Sequence, residues 1–432
     1  MSPDCFSPAE TMSRAEIESL QLAKLKKEID YCIANNAEYS RRLGEAGITS
    51  DKIKTLSDIK YLPFITKKDM HSTYPFGFFG QPMKKITRIH ASSGTTGKPT
   101  VIGYTARDLD DWAECMARLA YAGGAREDDI FQICFGYGLF TGALGLHYAL
   151  EKIGSTVIPA SSGNTEKQLM LMEDFGTTGL VSTPSYAEYI GELAREKGII
   201  DKLKLRIGLL GSEGCTPEMR THIETSLGIF VTDNYGMSEL GGPGVSGECE
   251  FRDGMHINED FYYCEIIDSA TGEVLPEGEQ GELVVTTLSK EGFPMLRYRT
   301  GDITRLVKDT CKCGRTFARM DKIKGRSDDM LKIRGVNVFP SQIESVLMTY
   351  PQIAPHYQLV VTRKNYSDRL EVRVELADAS LLEHFAKLEE LQISIHDHLK
   401  TILGIDTTIS LVEPKSLERF QGKAKRIVDN RQ

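Results

Sequence analysis

His90-Ala-Ser-Ser-Gly-Thr-Thr-Gly-Lys-Pro-Thr100 is the stretch on which the reading of this chain turns. Hydroxyl side chains, the glycines Gly94 and Gly97 and the single cation Lys98 crowd between Ser92 and Thr100. Glycine lets the backbone bend until several N–H groups point at one anion, hydroxyls add donors, and a lysine adds charge. That is the donor set a polyphosphate requires. The nucleotide loop of the P-loop enzymes is excluded, because it needs four residues between its first glycine and its Gly-Lys pair. Here only Thr95 and Thr96 separate Gly94 from Gly97, and Pro99 stands where a metal-binding hydroxyl belongs. A P-loop kinase is therefore set aside.

Outward from this loop, residues 86 to 236 alternate short apolar runs with helical segments. Strands are predicted at Ile130–Phe135, Thr156–Ala160, Leu180–Thr183, Ile207–Leu210 and Ile229–Thr232, with helices such as Pro184–Lys197 and Pro217–Ser226 between them. Strand, helix, strand in succession predicts parallel pairing through crossover helices. Upstream, Ile17, Leu20, Leu25, Ile29 and Ile33 recur at helical spacing and predict an amphipathic helix pair over residues 13 to 47. From Gly254 to Val307 short strands and Gly-rich turns predict an antiparallel sheet or distorted barrel. After a polar stretch at residues 325–329 comes a compact strand–helix–strand–strand–helix–strand pattern. About 100 residues of that kind make a small domain. The expectation is an α/β protein: a large N-terminal domain of mixed parallel sheets with a distorted antiparallel barrel over residues 1–326, a hinge at 327–329, and a mobile C-terminal α+β domain over 330–432.

The 432 residues, 41% hydrophobic and 26% charged, suit a globular chain of more than one unit. A net charge of −9 argues against nucleic acid as the main partner. The N-terminus lacks the pattern of a secretory signal, and no stretch approaches the ~18 apolar residues of a membrane helix. A cytoplasmic location is expected. Nine scattered cysteines do not make a disulfide framework.

The loop also resembles the phosphate loop of the adenylate-forming superfamily, which includes acyl-CoA synthetases and luciferases. The resemblance continues in order along the chain. Tyr235-Gly-Met-Ser-Glu239 is similar to the superfamily's aromatic-Gly-x-Thr/Ser-Glu motif, and Tyr298-Arg-Thr-Gly-Asp302 to its Tyr-x-Thr-Gly-Asp motif. Gly325-Arg-Ser-Asp-Asp329, running on to Lys332-Ile-Arg-Gly335, resembles its hinge, and Gln421-Gly-Lys-Ala-Lys425 its C-terminal Gly-Lys segment. Within the superfamily, SSGTTGKPTVIGYT, CFGYGLFTGALGLHYA and RSDDMLKIRGVNVFPSQIE look like the phenylacetate–CoA ligase family.

The resemblance implies ligation of an aryl-acetic acid, phenylacetate foremost, to coenzyme A through an acyl-adenylate, with release of AMP and pyrophosphate. An adenylating enzyme that passes another aryl acid to CoA or to a carrier-protein thiol shares the first step. A carboxylate is a poor acyl donor, so the protein has to neutralise phosphate charge and align attacker with leaving group. By resemblance Ser92, Ser93, Gly94, Thr95, Thr96, Gly97 and Lys98 cradle the ATP phosphates. Asn234, Tyr235, Gly236 and Met237 meet the nucleotide, with Tyr235 against adenine and Ser212 and Glu213 lining the base. Asp302 takes the ribose hydroxyls with help from Arg326, Ser238 touches the α-phosphate, and Glu239 holds Mg²⁺. Lys423 is the expected adenylation lysine, with Lys425 the competing candidate, and Asp328 the hinge. Tyr137, Phe140 and Gly142 are expected to line the aryl pocket, where glycine leaves room for a flat ring and aromatics pack on it. The resemblance also implies a homodimer.

One further cluster is read from the residues themselves. Cys311-Lys-Cys313-Gly314 looks like a metal knuckle, and a structural zinc takes four ligands. Cys249 and His256 complete a Cys₃His set, with Cys264 as the substitute ligand.

Overall fold

The computed structural model describes residues 4–92, 99–326, 331–333, 336–364, 367–419 and 426–431. Of the residues singled out above, Ser93, Gly94, Thr95, Thr96, Gly97, Lys98, Asp328, Lys423 and Lys425 lie outside the described residues. The chain divides into two compact units. One comprises Met1–Ser182, Leu203–Ser212 and Phe230–Ile323, the other Thr183–Lys202, Glu213–Ile229 and Lys324–Gln432.

The first unit opens with α1 (Arg14–Asn35), α2 (Ala37–Glu45) and α3 (Lys67–Ser72). Ser13 starts α1 by exchanging bonds with Glu16 in a capping box, and Ile17, Leu25 and Ile29 on one face are fully buried. The hairpin β1 (Arg88–Ala91) and β2 (Val101–Tyr104) follows, paired antiparallel from Arg88↔Tyr104 to Ala91↔Val101. The Gly/Ser/Thr-rich stretch is therefore the connection of a β-hairpin.

Next in the chain come α4 (Ala106–Ala122), β3 (Ile130–Ile133), α5 (Gly142–Ile153), β4 (Thr156–Ile158), α6 (Thr165–Phe175), β5 (Gly179–Ser182), α7 (Pro184–Glu196), β6 (Ile207–Gly211), α8 (Pro217–Leu227) and β7 (Phe230–Met237). The five strands from β3 to β7 are those the sequence predicts, in parallel order β4-β3-β5-β6-β7. The sheet then turns antiparallel through β8 (Gly242–Glu248), β9 (Met255–Ile257), β14 (Arg319–Met320) and β13 (Leu306–Val307). The antiparallel region is an open sheet in which β10 (Tyr262–Ile267) pairs with β11 (Gly281–Thr287) and β11 with β12 (Tyr298–Thr304). No closed barrel forms among the described residues. The ladder between β11 and β12 slips at Glu282/Val284, which bends the sheet without closing it.

The second unit holds α7, α8 and the C-terminal elements, beginning with β15 (Gly325–Arg326) and the hairpin β16 (Leu331–Ile333) and β17 (Val336–Val338). Thr183 and Thr216 cap α7 and α8, and each is followed by a proline at the first helical position, where a missing N–H costs nothing. Then come α9 (Pro340–Leu347), β18 (Ile353–Lys364), β19 (Ser367–Leu376), α10 (Phe385–Leu403), β20 (Thr408–Val412) and β21 (Ile427–Asp429). Their sheet runs β20-β19-β18-β21, and its face carries a core of its own built on Leu359, Val361, Val372, Val374, Ile395 and Leu399. No described helix is long and apolar enough to cross a membrane.

Candidate functional site

The base of the Gly/Ser/Thr-rich stretch is closed by two bonds. The Ser92 N–H donates to the Thr100 carbonyl at 3.0 Å, and the Thr100 N–H to Ser92 Oγ at 3.0 Å. Thr100 Oγ1 is buried and has no partner among the described residues.

β7 and β12 carry the next two motifs. The Tyr235 hydroxyl donates to Asp302 Oδ2 at 2.6 Å, so residues 67 apart in sequence form one polar pair. Asp302 is buried, and its N–H donates to Thr300 Oγ1 at 3.0 Å. Beside Tyr235, the Asn234 amide donates to the Leu210 carbonyl at 2.7 Å, tying β7 to the end of β6. Ser212, just past β6, takes a left-handed φ of 74°. Met237 ends β7, and Ser238–Leu240 forms a single 3₁₀ turn in which Glu239 is buried. The turn leaves through Gly241 at φ 101°, a backbone only glycine takes without strain.

Glu213 belongs to the second unit, where it accepts from the Ser185 N–H at 2.7 Å and from the Ser185 hydroxyl. The carboxylate is thereby engaged at the N-terminus of α7. Ser185 was not singled out from sequence; only its place just after the Thr183 cap could have signalled it. Arg326 lies in β15.

The aryl-pocket candidates lie together after β3. Tyr137 is half-buried, and its hydroxyl is 3.0 Å from His147 Nδ1. Burial pushes its phenol above the ordinary range. The Phe140 ring stands 2.6 Å from where a Cβ on Gly142 would be, so glycine at the start of α5 makes room for that ring. Phe140 also packs on Phe135, their centroids 6.2 Å apart. His147 escaped the sequence reading because it meets Tyr137 only through the turn into α5.

Cys249, His256, Cys311 and Cys313 converge, their donor atoms all within 4.8 Å of one another. Cys249 Sγ is 3.8 Å from Cys311 Sγ, and Cys313 Sγ is 3.4 Å from His256 Nε2. Tetrahedral zinc with ordinary bond lengths separates two thiolates by about 3.8 Å and a thiolate from an imidazole nitrogen by about 3.6 Å. The donor set fits that ion. Hydrogen bonding from Cys249 and His256 holds the Cys313 thiol far below the usual thiol range, so sulfur is poised as the anion a cation needs. Cys264 lies in β10 outside this group, its thiol pushed up by burial.

A β-hairpin carrying the Gly/Ser/Thr-rich connection, a Tyr–Asp pair and a turn that buries Glu239, on one α/β unit, fit the adenylate-forming enzymes, and the similarities of the chain bear this out. The AMP-binding enzyme family matches residues 81–289, and the AMP-binding enzyme C-terminal domain matches residues 335–431. The chain is 45% identical to the phenylacetate-coenzyme A ligase of Aromatoleum evansii, covering 100% of this chain and 98% of that one. It is 46% identical to that of Escherichia coli (strain K12), over 99% and 98%. A solved structure of 2-hydroxyisobutyryl-CoA ligase in the postadenylation state, in complex with R3-HIB-AMP, superposes with a TM-score of 0.92 at 28% identity, covering 100% and 94% of the two chains. The chain belongs to the phenylacetate–CoA ligase family, and it is an ATP-dependent, AMP-forming acid–thiol ligase working through an acyl-adenylate.

Proposed function

We propose that the acid is phenylacetate and the acceptor thiol is that of coenzyme A. The observation that carries the site assignment is the Tyr235–Asp302 bond beside the Ser238–Leu240 turn. It supports a nucleoside platform on β7 and β12, with Asp302 accepting from ribose and Tyr235 packing on adenine. Asn234, Gly236, Met237 and Ser212 frame that platform; by family resemblance Glu213 would line the base and Arg326 would assist at the ribose. Glu239 would hold Mg²⁺, whose charge offsets that of the phosphates when it is bound. Ser92 to Lys98 would hold the β- and γ-phosphates, and Ser238 the α-phosphate.

In the first step a carboxylate oxygen bonds to the α-phosphorus and pyrophosphate leaves. Lys423 bridges attacker and α-phosphate with its ammonium, and Lys425 is the neighbouring alternative. In the second step the thiol sulfur attacks the acyl carbon and AMP leaves, after a swing about Asp328 has withdrawn the lysine. This reading keeps a large domain over 1–326, a hinge at 327–329 and a mobile domain over 330–432. Tyr137 and Phe140 would line the slot for the aryl ring, with Gly142 giving Phe140 the room to stand there. Cys249, His256, Cys311 and Cys313 hold a structural Zn²⁺, the enzyme is a homodimer, and it works in the cytoplasm, where ATP and CoA are held.

The test is a panel of aryl and alkyl acids assayed for AMP formation with CoA. Phenylacetate should lead; a better aryl acid would replace it, and release of AMP only with a carrier-protein thiol would replace CoA. In parallel, Lys423→Ala should slow acid-dependent pyrophosphate exchange by at least ~100-fold while sparing thioester formation from supplied acyl-adenylate, since loss of a transition-state contact is worth a few kcal/mol. Equal loss in both half-reactions would remove Lys423 from this role.

A further inference from the structure

We propose that His147 of α5 is a positioning residue for the acid: by accepting from the Tyr137 hydroxyl it fixes that ring as one wall of the aryl slot, and so sets which ring the slot takes. The proposal rests on the reading above that Tyr137 and Phe140 line the slot. All the residues concerned belong to the first unit.

The two walls are held by different means. Phe140 is fixed by packing, since it lies against Phe135 and Gly142 leaves it space. The residue before it is pinned as well. The Leu139 carbonyl accepts from the Ala91 N–H at 2.9 Å and lies 3.0 Å from His90 Nδ1. Tyr137 has less to steady it. It stands between Gly136 and Gly138 in the connection from β3 to α5. Glycine on both sides leaves the backbone there its widest choice of conformations. A Cβ on Gly138 would meet nothing within 4 Å, so no neighbour crowds that side. The ring packs on the core only in part, and its far end is tethered. The hydroxyl lies 3.0 Å from His147 Nδ1, ten residues on. The two rings meet edge to face, their centroids 5.8 Å apart at 89°.

The direction of that hydrogen bond follows from the other side of the imidazole. His147 Nε2 lies 3.2 Å from Glu151 Oε1, one helical turn further along α5. A carboxylate only accepts, so the ring proton sits on Nε2 and the neutral imidazole offers a bare Nδ1. The Tyr137 hydroxyl is then the donor. Burial holds that phenol above its ordinary range, so its proton is there to give. Tyr148 steadies the imidazole further: its ring stands edge-on to His147 with centroids 5.3 Å apart, and its hydroxyl accepts from Arg88 of β1 at 2.9 Å.

Glu151, His147 and Tyr137 thus form a carboxylate–imidazole–phenol chain that ends on the slot. The Glu151 side chain is 53% exposed, and such a contact adds little to the fold. Its effect is on which nitrogen bears the proton, and through that on where the Tyr137 ring stands. A wall free to swing accommodates rings of several sizes, whereas a tethered one favours the ring it was set for.

The test is initial-rate kinetics on the full chain with ATP, CoA and a series of acids. His147→Phe keeps a ring in place but has no acceptor. It should raise the KM for phenylacetate about five-fold, the worth of one hydrogen bond, and leave kcat and the KM for ATP within about two-fold. Its preference for phenylacetate over a bulkier, bicyclic aryl-acetic acid should fall by a similar factor. His147→Asn keeps an acceptor near the place of Nδ1 and should recover most of the loss. Tyr137→Phe should reproduce the effect, and the double variant should be no worse than either single one, because both remove the same bond. An unchanged KM and preference in His147→Phe, a KM for ATP that rises as much as that for the acid, or losses that multiply in the double variant would overturn the proposal. Tyr137→Ala separates it from the reading on which it rests. If Tyr137→Ala leaves the KM for phenylacetate unchanged, Tyr137 does not line the slot and both fall. If it raises that KM while His147→Phe does not, the slot stands and His147 alone is wrongly placed.

Discussion

Single residues show how far the motifs reach. Tyr235 and Asp302 were legible because each sits in an ordered motif, yet nothing in the sequence joins them; β7 and β12 do that. Removing the hydroxyl in Tyr235→Phe keeps the ring and costs about 1 kcal/mol. The KM for ATP should rise about five-fold with little change in kcat, as initial-rate kinetics would show. Glu188 and His147 carried no motif and were missed, because their chemistry comes from burial and from tertiary neighbours. Glu188 is held up to about 7, first by burial and then by the negative charge of Glu192; Arg195 and Arg419 oppose the shift, and His222 faces it. The folded state therefore keeps that proton more tightly than the unfolded chain. The stability tied to it is complete below the unfolded value of about 4.5 and is lost as pH rises through about 7. Glu188→Gln has no proton to lose and keeps an acceptor for His222. Between pH 5 and pH 8, urea titrations should show the variant gaining on the parent by on the order of 2–3 kcal/mol. An unchanged difference across that range would mean that Glu188 ionises normally.

At the level of the element, the informative pair is β7 and β8. Strands β3 to β7 announce themselves as short apolar runs between helices. β8 does not, because Gly242-Pro-Gly-Val-Ser-Gly-Glu248 has neither alternation nor an apolar run. It is a strand because its backbone pairs with β7 and β9, and tertiary pairing overrides weak local preference. The same holds for the three-residue β17 and β21, each too short to show a period. Between β7 and β8 the register slips at Tyr235/Gly236. A Cβ on Gly236 would stand 2.2 Å from the Gly242 carbonyl and 2.6 Å from Pro243 Cα. Both are backbone atoms, so neither can swing aside. Gly236→Ala should therefore force the ladder apart, move Tyr235 off Asp302 and cost roughly 2–4 kcal/mol. Thermal melts with and without ATP would show both a lowered midpoint and a lost nucleotide-induced shift. A variant that melts normally and still gains stability from ATP would mean the strands yield more easily than their spacing allows.

Across the whole molecule the two units have separate hydrophobic cores, and the cysteine cluster belongs to one of them. Cys249 follows β8, His256 lies in β9, and Cys311 and Cys313 sit in the loop before β14. A metal there would staple strand ends 62 residues apart, as the Cys249–Cys311 approach already indicates. The knuckle also reaches the N-terminus: buried Arg315 pairs with buried Glu10, and the Thr316 N–H donates to the Glu10 carbonyl at 3.0 Å. If a zinc ion is held there, its removal leaves only thiol and imidazole hydrogen bonds to join these strand ends, and the knuckle and the first turn seated on it lose a strong tie. The second unit's core contains none of these ligands. Chelation of zinc, or the pair Cys311→Ser and Cys313→Ser, should thus lower the melting of the first unit alone. A loss of a few kcal/mol corresponds to about 5–10 °C in a unit of this size, and calorimetry should resolve it from a second transition that stays in place. Protease should at the same time cut near Met12 in the treated protein and not in the untreated one. Two transitions that move together would show that the units unfold as one. No movement of either would show that the four side chains meet without a metal.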